Sequence, residues 1–190
     1  HSYMELDYAF RPILQLLLEQ YRDAVWPAMS AALLSGDHRT AFNLGGLLGS
    51  RFQERRKPNL LLTLPDELLI AWCERYPSQA PVLLAGMIPL LRHEGEQWRW
   101  SPLARMLIDR YGGQEDVLSE MTANLGTFSW SGSAVSYYER QVEPLEQLRS
   151  HPIPEVRRWA GAQLHYVEER IRKETAFDEE RSIGIFGRDN

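Results

Sequence analysis

The chain has 190 residues, 44% apolar and 25% charged, the composition of an ordinary soluble protein with room for one sizeable domain or a short run of repeats. Its net charge of −5 disfavours broad electrostatic attraction to nucleic acid or to an anionic membrane surface. A single cysteine, Cys73, excludes an internal disulfide and fits a reducing, cytoplasmic setting. No apolar run is long enough to span a bilayer, so no membrane is expected among its partners. His1-Ser2-Tyr3 lacks an initiator Met and reads as a vector remnant.

Taken in order, nearly every segment reads as helix. Leu14, Leu17, Leu18, Tyr21 and Val25 recur at three- and four-residue steps and predict a helix from Pro12 to Val25. Trp26-Pro27 is expected to break it, because proline disfavours helix in the residue before it. A second helix is expected from Pro27 to about Leu34, ended by Ser35-Gly36 and followed by the cap Asp37. The third runs from His38 to about Leu48; its Gly45, Gly46 and Gly49 predict a close crossing with a neighbour. Residues 50 to 58 form a polar connection. Leu60-Leu61-Leu62-Thr63-Leu64 is the nearest thing to a strand.

Pro65-Asp66-Glu67 opens the fourth helix, with acidic side chains at its positive end. A fifth is expected from Pro81 to Arg92. Ser101-Pro102 starts the sixth with a serine cap and a first-turn proline, and Gly112-Gly113 stops it. The seventh spans Glu115 to Leu125, and the eighth Ala134 to Arg149, crossed by Pro144. The ninth runs from Pro154 to about Glu174 on a stripe of Val156, Trp159, Ala160, Leu164, Val167 and Ile171, and the pattern fades after Ala176. One helical domain is thus expected over residues 4–176, with a loosely ordered tail over 177–190.

Short helices joined by short connections imply roughly four antiparallel hairpins of about 35 to 50 residues. In the run from His151 to Leu164, a helix opens behind two prolines with Val156-Arg157 near its start. That segment resembles the second helix of a HEAT-type repeat. The chain is also similar in style to degenerate helical solenoids at the ends of large bacterial proteins. The resemblance covers about 14 residues (151–164) and implies an all-α, HEAT-like α-solenoid that scaffolds or recognises a ligand on a concave face. Periodicity alone also fits a compact irregular helical bundle.

Catalytic signatures are missing from the sequence. It has no Gly-x-x-x-x-Gly-Lys-Ser/Thr, no Gly-x-Ser-x-Gly and no His-Glu-x-x-His. The five histidines are scattered, so neither a metal nor a cofactor is expected. Cys73 sits among apolar neighbours and reads as an inert buried thiol. Two clusters stand out as contact surfaces. Trp98, Arg99, Trp100, Phe128, Trp130 and Tyr137 gather in or near loops, where they either cap hairpin ends or form a binding hot spot. Arg51, Arg55, Arg56 and Lys57, with Phe52 between them, form a basic patch of the kind that grips phosphate. The expected function is non-enzymatic recognition or scaffolding of another protein, or of other domains of a longer parent chain. A nucleic-acid-binding solenoid is the alternative; a HEAT-like DNA glycosylase, needing an aromatic cleft with a carboxylate, comes behind it.

Overall fold

Apolar residues at helical spacing become helices in almost every case, and departures from that rule occur at prolines. The computed structural model describes residues 2–49, 59–127 and 133–186, with the backbone alone for 2–9, 38 and 181–186. Among these the architecture is mostly helical, with one small two-stranded sheet. No helix among the described residues is long and apolar enough to cross a membrane.

The first two predicted helices are one element, α1 (Ser2–Leu33), with a kink at Tyr21 (φ −130°, ψ 26°) instead of a break at Pro27. Asp23 and Pro27 both lie on its exposed side, where solvent replaces the amide that proline removes. Trp26, Met29 and Leu33 meanwhile face the core, and the Trp26 ring meets Trp72 edge-on at 5.4 Å. Helix α2 (His38–Leu48) starts at Asp37, whose carboxylate accepts from the Arg39 amide at 3.1 Å and from the Thr40 hydroxyl at 2.6 Å. A Cβ on Gly49 would lie 2.6 Å from the Met87 carbonyl oxygen, so a side chain there would force the two elements apart. Gly45 also faces Met87, whereas nothing lies within 4 Å of a Cβ on Gly46. Two of the three glycines therefore mark the predicted close crossing.

Leu60–Thr63 is a 3₁₀ turn, not a strand, started by Asn59, whose side chain accepts from the Leu61 amide. Helices α3 (Asp66–Arg75) and α4 (Ala80–Met87) follow. The helix expected through Arg92 ends at Met87 because Ile88, placed before Pro89, is extended (φ −94°, ψ 154°). Pro89 also has no amide for the Ala85 carbonyl. Asn124, buried on a later helix, supplies it: its side-chain amide donates to Ala85 O at 2.8 Å and to Ile88 O at 2.9 Å.

The chain then makes a hairpin where no strand was expected. Strand β1 (Leu91–Glu94) pairs antiparallel with β2 (Gln97–Trp100), in the register Leu91 opposite Trp100 and Glu94 opposite Gln97. Gly95 takes φ +65° in the two-residue turn, a conformation that side chains resist. Helices α5 (Pro102–Tyr111), α6 (Glu115–Gly126) and α7 (Val135–Gln147) lie close to their predicted bounds. Helix α8 (Pro154–Phe186) runs on through much of the segment expected to be loose. Glu179, Glu180 and Arg181 are good helix formers within it, and in the turns before it Arg170 pairs with Glu174 at 2.7 Å.

Neighbours in sequence pack together, α1 on α2, α3 on α4, α5 on α6 and α7 on α8, and α4 packs on α5 as well. The second member of each pair meets the second member of the next, α2 on α4, α4 on α6 and α6 on α8. The most deeply buried side chains include Leu48, Leu84, Met87, Leu107, Ile108 and Met121.

Candidate functional site

The aromatic cluster is built by the hairpin. On β2 the side chains alternate, Gln97 and Arg99 outward, Trp98 and Trp100 toward α7. Trp100 is buried and its indole N–H donates to the Pro144 carbonyl at 2.9 Å. That carbonyl lies in the last turn of α7, where helical donors run out, because the Leu148 amide turns to Leu145 instead. Tyr137 acts alike at the next helix end: it is buried and its hydroxyl donates to the Leu125 carbonyl in the last turn of α6. Burial pushes its phenol upward, and the nearby Arg140 guanidinium only partly opposes this.

Trp98 is half-buried. The His93 ring stands edge-on to it at 5.1 Å, and the Arg140 guanidinium lies 5.0 Å from its centre and 3.8 Å from that of Tyr137. Arg99 is exposed and reaches back to Glu94 at 3.5 Å and Gln97 at 2.7 Å. The structure thus brings Trp98, Trp100 and Tyr137 together across β2 and α7, with two of the three polar tips closing helix ends. Trp100 lines no open cleft. Phe128 and Trp130 lie outside the described residues, as do Arg51, Arg55, Arg56 and Lys57.

Cys73, His151 and Asp109 are each engaged in the fold. The Cys73 thiol is fully buried, and its pKa is pushed up to about 12 by desolvation and then by the charge of Glu74. The His151 side chain is only 2% exposed. The Ile153 amide donates to its Nδ1 at 3.2 Å, which leaves Nε2–H to donate to Asp109 Oδ1 at 2.9 Å. Burial by itself would raise the Asp109 carboxyl. The hydrogen bonds from Arg105 and His151 and the charge of Arg105 outweigh it and hold the group below the ordinary carboxylate range. This contact ties α5 to the turn before α8. Among the described residues, no group of three or more His, Cys, Asp or Glu is placed to hold a metal ion.

A surface that the aromatic and basic motifs did not point to lies on the first hairpin. Phe10, Ile13, Leu16 and Tyr21 of α1 are each more than half exposed, and Leu17 is 36% exposed. Phe42 on α2 (62%) and Leu62 in the 3₁₀ turn (53%) are open as well, on elements that pack against α1. Leu17 and Tyr21 belong to the periodic set that predicts this helix, yet they face outward. At about 3.6 residues per turn, Leu14, Leu18 and Val25 share one sector of α1, and Phe10, Ile13, Leu17 and Tyr21 fill the sector beside it. Only the first sector reaches the core: Leu18 is fully buried, and Leu14 and Val25 pack against it. The legible signal was excess. Ile13, Leu14, Leu16, Leu17 and Leu18 are more apolar residues than one buried stripe requires.

No protein-family model matches the chain, and no curated protein or solved structure matches it significantly.

Proposed function

We propose that this chain is a non-enzymatic recognition or scaffolding module, a short HEAT-like stack of helical hairpins whose first hairpin receives another protein or another domain of a longer parent chain. The succession of α2, α4, α6 and α8, each against the next, supports a row of hairpins over an irregular bundle. The observation that carries the recognition role is the open apolar face of α1. Exposed large apolar side chains gather on α1, α2 and the 3₁₀ turn, whereas between Leu62 and Tyr166 the described residues have none. Concentrated apolar exposure of that kind marks a surface that a partner covers. A lone buried cysteine suits the cytoplasm.

The test is a photo-crosslinking side chain placed at Ile13, with Arg158 on α8 as the exposed comparison site, in cells that make the protein. Capture of a defined partner is expected from position 13 and not from 158. It should disappear when Leu17→Glu and Tyr21→Glu are added, with the urea midpoint unchanged. Equal capture from both positions, no capture from position 13, or capture that survives the added charges would overturn the proposal.

A further inference from the structure

We draw no further inference here: the strongest candidate, the open apolar face of α1 with Phe42 and Leu62 beside it, already carries the proposed recognition role, and nothing in the structure shows what covers it.

Discussion

Asn124 shows how one residue can hold an irregular helix end. Pro89 deprives Ala85 of its helical donor, and a buried carbonyl left alone is costly. Replacing Asn124 by Ala abandons two such carbonyls at once, and the expected loss is about 2–4 kcal/mol in urea unfolding. A change below about 0.5 kcal/mol would show that other donors reach them. Asp109 yields a pH-dependent expectation. A carboxyl lowered on folding stabilises the native state above its unfolded pKa and loses that contribution as pH falls through the folded one. Because its side chain is 43% exposed, Asp109→Asn should cost about 1 kcal/mol or less at pH 7. The gap from the parent protein should begin to narrow near pH 4, the unfolded value, and close only once the pH falls below the lowered folded value. Unfolding midpoints at pH 7, 5, 4 and 2 decide it; a gap that stays constant or widens over that range contradicts the assignment. Neither role was legible in the sequence, because Asn124 lies 36 residues from Ile88, and Asp109 lies 42 from His151.

Among the elements, caps and stops were readable because they act within a few residues. Asp37, Ser101-Pro102 and Gly112 set boundaries where the sequence placed them. The hairpin was readable too, in Gly95-Glu96 followed by the polar–aromatic alternation of Gln97 to Trp100, but Leu90 and Leu91 extended the helical pattern of α4 over its start. Proline was the less certain guide. Pro89 ended a helix, while Pro27 was absorbed into α1 on its exposed side. The glycines of α2 provide a test of the crossing with α4. Gly49→Ala pushes a methyl into the Met87 backbone and should cost about 1–3 kcal/mol. Gly46→Ala, with open space around it, should instead gain up to about 1 kcal/mol from helix propensity. Thermal unfolding of the two variants measures both, and equal effects would mean that α2 does not press on α4 through Gly49.

Across the whole molecule, burial is uneven. Helices α4 and α6 pack against each other and against helices on further sides, whereas on α8 the last described side chain packed against the core is Ile171. Native-state hydrogen exchange should therefore be slowest in α4 and α6 and fast over residues 172–180, where only helical bonds on a solvated helix protect the amides. Comparable protection in both regions would indicate that the α8 extension is covered in solution. By itself the sequence determined the helical class, most helix bounds and the burial of Cys73, since propensity, capping and apolar spacing operate over one or two turns. Tertiary structure alone decided which apolar sector of α1 turns inward, which carbonyls Asn124, Trp100 and Tyr137 close, and that the second helices of successive pairs meet. Those outcomes depend on groups that approach only after the chain has folded back on itself, and no local pattern encodes that distance.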